Sequence, residues 1–377
     1  MAYNPPSPPK KQKRRDYQDP THKLVDLINY GNINIQQYVN NEIANLIEEG
    51  ADVNGINPAF RPLHLAIEYN MIEVVRFLLY NGADINIRNS IGDTPIIYSL
   101  DNSQIPCFNL LLERGADCSL ANNLGETVLL SYAGKLWHQL SPLFVGGINK
   151  IEHDFNRMIQ LGANINATDS DGRTALHIAC SQNINANTIY FIDKLLKLEN
   201  GADVNIRDQN GDSPILLIYN RDMTTEQVPL CIDVAKRLID RGANVNIIDS
   251  DEHSPLQHAC VQPEVSDHDV FELIKTLFYM PDPNDPMRLN INEQVIANIS
   301  QLLQQNGHEA IIPDIIDYVK TMSQMRSVGI SSMLRDLGLF DPEITNDLYE
   351  FTADKKLGGK KKKTKKHKNK KRKTKRR

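Results

Sequence analysis

Apolar residues in this chain come in short runs at helical spacing, and the runs keep ending at the same polar punctuation. One such run is Ile72-Glu73-Val74-Val75-Arg76-Phe77-Leu78-Leu79, which breaks into Gly82-Ala83-Asp84-Ile85-Asn86. With small changes this glycine string appears six times, starting at Gly50, Gly82, Gly115, Gly162, Gly201 and Gly242. The intervals between those glycines are 32, 33, 47, 39 and 41 residues. Ten or eleven residues past each glycine stands a second string. Examples are Arg61-Pro62-Leu63-His64-Leu65-Ala66, Gly92-Asp93-Thr94-Pro95-Ile96, Gly172-Arg173-Thr174-Ala175-Leu176-His177-Ile178-Ala179 and His253-Ser254-Pro255-Leu256-Gln257-His258-Ala259. Two linked strings at a near-constant period predict a tandem array of helix–turn–helix units.

Each position in the strings has a physical task. Thr or Ser caps the first helix, and Pro opens it where a missing N–H costs nothing. Leu and Ala form the small apolar face on which the next unit stacks. The anchor glycine takes the left-handed backbone that closes the second helix. The second string resembles the Thr-Pro-Leu-His-x-Ala signature of the ankyrin repeat, over about seven tenths of the chain. The resemblance implies an all-α ankyrin-repeat solenoid of about six or seven units over 21–292, in which each unit touches only its neighbours. The end units, 23–54 and 249–292, are degenerate, as caps facing water should be. His64 and His177 occupy the repeat's own His position, where the ring is expected to tie the turn to the neighbouring unit.

Three consecutive units are longer than the rest. The compact unit runs 23 residues from Gly92 to Gly115, against 37 from Gly125, 29 from Gly172 and 31 from Gly211. The extra residues are assigned to the turn between the two helices, around 133–147, 183–187 and 221–229. The largest insert holds the only tryptophan, Trp137, either in a lengthened helix that packs it on the stack or in a loop that offers it as an anchor to a protein partner. Beyond the array, 293–357 reads as a small helical region. Val295, Ile296, Ile299, Leu302 and Leu303 mark one amphipathic helix, and Ile311, Ile312, Ile315, Ile316, Val319 and Met322 another. Shorter helices are expected at 331–337 and 342–351. The segment Ile312-Pro313-Asp314-Ile315-Ile316 is faintly similar to the opening of the F-box-like segment of poxvirus ankyrin proteins.

Charge is divided along the chain. The tail 358–377 carries eleven Lys and three Arg with no acid, and Lys10, Lys11, Lys13, Arg14 and Arg15 precede the first acidic residue. Of the 42 basic residues, 23 remain in 16–357 against all 47 acidic ones, so an overall charge of −5 hides a strongly acidic body between basic ends. Segments 1–20 and 358–377 have too few apolar residues to fold and are expected to be disordered. Lys360, Lys361, Lys362, Lys363, Lys365, Lys366, Lys370, Lys371, Arg372 and Lys373, with the N-terminal cluster, are candidates for non-specific nucleic-acid contact or an import receptor. No Phe, Tyr or Trp interrupts 360–377, so base stacking has little platform there. The asparagine- and isoleucine-rich repeats and the Gly358-Gly359-Lys360 tail resemble ankyrin proteins of giant DNA viruses of amoebae. That resemblance implies a viral protein inside a host cell, in cytoplasm, nucleus or particle.

The sequence carries no recognisable catalytic constellation. Cys107, Cys118, Cys180, Cys231 and Cys260 show no C-x-x-C pairing, and an odd, scattered set points to a reducing compartment. No phosphate loop, H-E-x-x-H or nucleophile elbow is present. The start is polar and basic where a signal peptide needs an apolar run. The expectation is a non-enzymatic scaffold with no cofactor, metal, membrane or small-molecule substrate. Its candidate protein-binding residues are the hairpin-tip positions Arg88, Asn89, Asn122, Asn123, Ser170, Arg207, Gln209 and Asp251. Asp169, Asp208 and Asp249 recur at the same tips and are expected to cap backbone amides.

Overall fold

The computed structural model describes residues 19–30, 36–136, 147–220, 223–262, 264–278 and 293–328. These residues are helical apart from turns and one isolated bridge, Ala121 to Thr127. The helices form pairs: α1 Pro20–Tyr30 with α2 Gln36–Glu48, α3 Pro62–Glu68 with α4 Ile72–Tyr80, and α5 Pro95–Asp101 with α6 Ile105–Glu113. Then follow α7 Val128–Lys135 with α8 Gly147–Gln160, α9 Ala175–Ser181 with α10 Ala186–Lys197, and α11 Pro214–Tyr219 with α12 Val228–Asp240. The seventh pair is α13 Pro255–Cys260 with α14 Asp267–Leu277, and α15 Glu293–Gln305 and α16 Ile312–Val328 come after it. The chain divides into two compact units, 1–280 with 284–315, and 281–283 with 316–377; of the second, helix 316–328 is the described part.

Within the first unit every first helix packs on the first helix of the next pair, from α1 on α3 through to α13 on α15, and the second helices form a parallel row. The apolar signature residues fill the space between. Leu63, Leu176 and Leu256 and the alanines Ala66, Ala179 and Ala259 are all buried. This is the ankyrin solenoid the strings predict, in which stacking neighbours supply each other's core.

The caps are more selective than the strings suggest. A hydroxyl stands at the N-cap of α5, α7, α9, α11 and α13, yet a complete capping box forms only at α9 and α13. There the third helical residue is His177 or Gln257, whose side chain accepts the N-cap amide. Where that residue is Ile97, Leu130 or Leu216, the reciprocal bond has no acceptor, and the hydroxyls of Thr94, Thr127 and Ser213 are buried without a partner.

Extra residues in the long units divide between turn and helix. The turns before α10 and α12 include 182–185 and 223–227, while 137–146, before α8, lies outside the described residues. The remainder lengthens the second helices: α8, α10 and α12 have 14, 12 and 13 residues against 9 in α4 and α6. This corrects the assignment of the inserts to the turn alone. It also explains an exception among the anchor glycines. Gly50, Gly82, Gly115, Gly162 and Gly242 have φ between 82° and 97°, but Gly201 does not join them. Helix α10 stops at Lys197, so Gly201 lies past its end; there a Cβ would sit 2.8 Å from the carbonyl oxygen of Leu196. Close approach, not handedness, selects glycine at that position.

A ladder of side-chain bonds sets the register between repeats. In each anchor string the Asp or Asn accepts the amide two residues on, as Asp84 does from Asn86 and Asn244 from Asn246. The string's last Asn reaches the following repeat: Asn54 accepts from Asp84 N, Asn86 from Asp117 N, Asn166 from Asp203 N and Asn205 from Asn244 N, all at 2.8–2.9 Å. The ladder is interrupted at Ser119, whose hydroxyl turns back to Asp117. That interruption coincides with the 47-residue interval. Asn205→Ala should therefore cost about 1–2 kcal/mol, because its side chain also donates to Gly242 O. Ser119→Ala, at the interruption, should stay within about 0.5 kcal/mol in the same urea titration.

Candidate interaction surface

The strings between helix pairs form fingers. In the second to sixth, an Asn or Asp closes the tip: Asn89, Asn122, Asp169, Asp208 and Asp249 each accept, through Oδ1, the amides two and four residues ahead at 2.8–3.1 Å. Three residues past each of these comes a left-handed backbone, taken by Gly92, Gly125, Gly172 and Gly211 with φ of 75–84°. At Gly125 a Cβ would also press to 3.0 Å on the carbonyl oxygen of Thr168 in the next finger, so glycine is required twice over. In the sixth finger Glu252 takes the same conformation with φ 64°.

Neighbouring fingers are tied to one another. Asn123 N donates to Ile91 O at 3.2 Å, Ser170 N to Leu124 O at 2.6 Å and Gln209 N to Asp171 O at 2.8 Å. Arg88 bridges Gly92 O and Ala121 O, and Arg207 bridges Gly211 O and Ile248 O, so each guanidinium links its finger to the next. Gln209 adds a side-chain bond to Ser170 O.

These geometries sort the sequence-derived tip residues. Asn89 and Asn122 are half-buried and their side chains close the turn, which makes them the counterparts of Asp169, Asp208 and Asp249. The expectation that these tip positions are exposed is corrected for Asn89 and Asn122, which are half-buried. Arg88 and Arg207 are exposed but hold carbonyls of the next finger. Asn123, Ser170, Gln209 and Asp251 are exposed at the tips. Trp137, the N-terminal bases Lys10 to Arg15 and the tail bases from Lys360 onward lie outside the described residues, as do the helices expected at 331–337 and 342–351.

Two features of the surface escaped the sequence reading. The tip position two residues past the turn-closing Asn or Asp changes character along the array. It is Ile91 (59% exposed) and Leu124 (62%), then Asp171, Asn210 and Asp251. The first finger adds Ile56 (64%) and Phe60 (47%). The first three fingers thus show apolar side chains to solvent, and at the position two past the turn-closing residue the next three show polar or acidic ones, although Ile248 (45%) is exposed elsewhere in the sixth finger. Secondly, several first helices present a half-buried side chain at the equivalent position, namely Tyr98, Ile178, Leu217 and His258. Tyr98 donates to Glu68 at 3.1 Å, and burial together with that carboxylate pushes its hydroxyl up to about 12.

Beneath the fingers the repeat's histidines act as ties. His64 Nε2 lies 3.0 Å from Asp93 O and His177 Nε2 3.3 Å from Asp212 O, each in the following repeat. Burial drives His64 down to about 4 and lowers His177 as well. The five cysteines are likewise buried, as thiols; burial pushes Cys107 up to about 11 and Cys118 and Cys260 up to about 12. None is poised for nucleophilic work.

Two ankyrin-repeat family profiles match the chain, one of three copies over 35–122 and one of many copies over 155–192. A putative ankyrin repeat protein of fowlpox virus (strain NVSL) is 31% identical over 188 residues, which are 47% of this chain and 84% of that protein. A putative ankyrin repeat protein of Acanthamoeba polyphaga mimivirus is 29% identical over 142 residues, 34% of this chain and 20% of the other. Human ankyrin repeat and SOCS box protein 6 is 26% identical over 229 residues, 58% of this chain and 43% of the other. The chain belongs to the ankyrin-repeat family. It spans most of the fowlpox protein but less than half of the other two. Similar solved structures include an ankyrin repeat domain from Acinetobacter baumannii AYE, at 22% identity and TM-score 0.43 over 57% of this chain and 95% of that one. The ankyrin repeat domain of Bcl-3 aligns at 20% identity and TM-score 0.45, over 67% of this chain and 97% of its own.

The buried histidines give the array a pH dependence of known sign. Unfolded, His64 titrates near 6.5; folded, near 4, so between those values the unfolded chain holds a proton the folded chain lacks. Stability is therefore full above about pH 6.5 and falls as the pH drops toward 4, by about 1.4 kcal/mol per unit for this one ring. Urea midpoints measured from pH 7.5 to 5 should fall for the native chain. The slope should be shallower for His64→Gln, which keeps a donor for Asp93 O but does not titrate.

Proposed function

We propose that this chain is a non-enzymatic adaptor that holds a protein partner on its fingers, acting inside a virus-infected cell. Ankyrin repeats are protein-interaction modules, and related proteins occur in fowlpox virus and mimivirus. The observation that carries the reading is the exposed apolar row Ile56, Phe60, Ile91 and Leu124 on three successive fingers. Fold architecture does not need those side chains outside, and apolar groups at the centre of a patch are the usual source of binding energy. The partner's apolar side chains would sit on this row, with the later, acidic tips favouring basic residues.

A photo-crosslinking amino acid at position 91 or 124 should capture the partner from infected-cell extract. The same group at Tyr80, exposed at the end of α4, should not. Ile91→Asp with Leu124→Asp should weaken binding by about 2–3 kcal/mol, some 30- to 150-fold, while leaving the melting temperature nearly unchanged. Equal capture at Tyr80, or undiminished binding by the double variant, would refute this surface.

The division of charge supports a second reading, tethering to nucleic acid or an import receptor through the basic ends. Lysine-rich segments bind phosphate by counterion release, so such binding is blind to sequence and steeply salt-dependent. Filter binding to duplex DNA should be strong at 50 mM salt and weak at 200 mM for the full chain, and lost when the chain stops at Leu357. Equal retention by both would leave the tail as a solubilising appendage.

A further inference from the structure

The sixth finger differs from the others in what it places around its turn-closing carboxylate. Four residues past that group stand Asp93, Glu126, Arg173 and Asp212 in the second to fifth fingers, but His253 in the sixth. Nine residues past it stand Tyr98, Ser131, Ile178 and Leu217, but His258 in the sixth. In the fourth finger Asp169 is neutralised by Arg173 at 2.9 Å. The sixth finger offers two imidazoles instead.

Their geometry converges. Asp249 Oδ1 is held by the amides of Asp251 and His253 at 2.9 and 2.8 Å, which aims Oδ2 at His258 Nε2, 2.7 Å away. The rings of His253 and His258 meet edge to face at 5.5 Å. One donor atom from each of Asp249, His253 and His258 lies within 4.8 Å of the other two. His258 is fixed on α13 behind the Ser254–Gln257 capping box, while His253 is exposed and can close the last gap. Tetrahedral zinc, with bonds of about 2.0–2.1 Å, needs donors roughly 3.3 Å apart, against 2.7 Å between Asp249 and His258 and an upper bound of 4.8 Å for the set.

A second, independent observation lies in the adjoining finger. Asp212 is 93% buried, and its Oδ1 has no hydrogen-bond partner. Its carboxyl is held above the usual range by burial and by the charges of Asp208 and Asp249, while His258 opposes the rise. Asp212 thus places a second, buried carboxyl group within electrostatic reach of Asp249 and His258.

We propose that Asp249, His253 and His258 form a site for a divalent transition-metal ion of the zinc class, with Asp212 as a charge-compensating neighbour. Two imidazoles and one carboxylate make a donor set suited to zinc, and three protein ligands leave a fourth position for water or for a side chain from a bound partner. The metal would lock the sixth finger onto α13 and place a cation among acidic tips.

The test titrates the full chain with Co²⁺ and Zn²⁺ in the absence of any partner. One equivalent of Co²⁺ should produce the visible absorption of a tetrahedral site, and Zn²⁺ should displace it. His253→Gln, an exposed change that spares the fold, should weaken binding at least tenfold, as should His258→Gln. His268→Gln, a histidine outside the cluster, should bind like the native chain. Circular dichroism checks that each variant is folded. No binding by the native chain at submillimolar metal, or equal binding by His253→Gln, would overturn the proposal.

Discussion

The stack depends on a bond between an asparagine side-chain oxygen in one repeat and a backbone amide in the next. Helix faces built from Leu and Ala are smooth, and they resist sliding only weakly. Asn54, Asn86, Asn166 and Asn205 remove that freedom, because a shift of one residue would leave a finger amide without its acceptor. The neighbouring Asp or Asn fixes the shape of the same string from within. Register between repeats and conformation within them are thus settled by two side chains two residues apart.

Where Ser119 interrupts the ladder, the longer second helix supplies other ties. Cys118 N donates to Leu161 O at 3.0 Å, Arg157 reaches Leu112 O, and Lys150 reaches Asn109. The core changes in step. Phe108, Tyr132, Phe191 and Phe155 form a chain of rings 5.7–5.9 Å apart, filling the space beside the lengthened helices. Tyr132 is wholly buried and its hydroxyl needs a partner, which is Asp154. Asp154 is itself buried and is balanced by Lys150 at 2.7 Å. An ion pair of this kind adds little net stability, but either charge left alone would be costly, so the residues hold one another in place.

Most of the fold was legible because the strings name backbone conformations. A glycine at a helix end, a hydroxyl before Pro and an Asp or Asn at a tip each have a local cause, visible in one chain. What was not legible depends on neighbours. The failure of Thr94 and Thr127 to complete capping boxes follows from the residue three positions on. The role of Gly201 follows from how far α10 extends. Asn89 and Asn122 do the work of Asp169 in their turns, and only the bond pattern, not the residue type, shows that they share its task. The tip row and the histidine cluster combine residues from different repeats or from both sides of a cap, so no single string reports them.

Each finger leaves few side chains to selection by a partner. The turn-closing Asn or Asp is occupied by two amides, the residue before it by carbonyls where it is Arg, and the residue three past it by the left-handed backbone. The residue two past it is different. Its carbonyl is used for finger-to-finger bonding at Ile91, Leu124 and Asp171, but its side chain is exposed whatever its chemistry, with Asp171 pairing to Arg173 at 3.0 Å. Specificity can therefore vary there without cost to the stack. In this chain that position runs Ile, Leu, Asp, Asn, Asp, which gives the array a direction: an apolar beginning and an acidic end. A partner lying across the fingers in reverse would set its basic groups against Ile91 and Leu124, losing both the apolar burial and the ion pairing. An array of this kind would orient a partner through a tip position that its own backbone bonding does not consume.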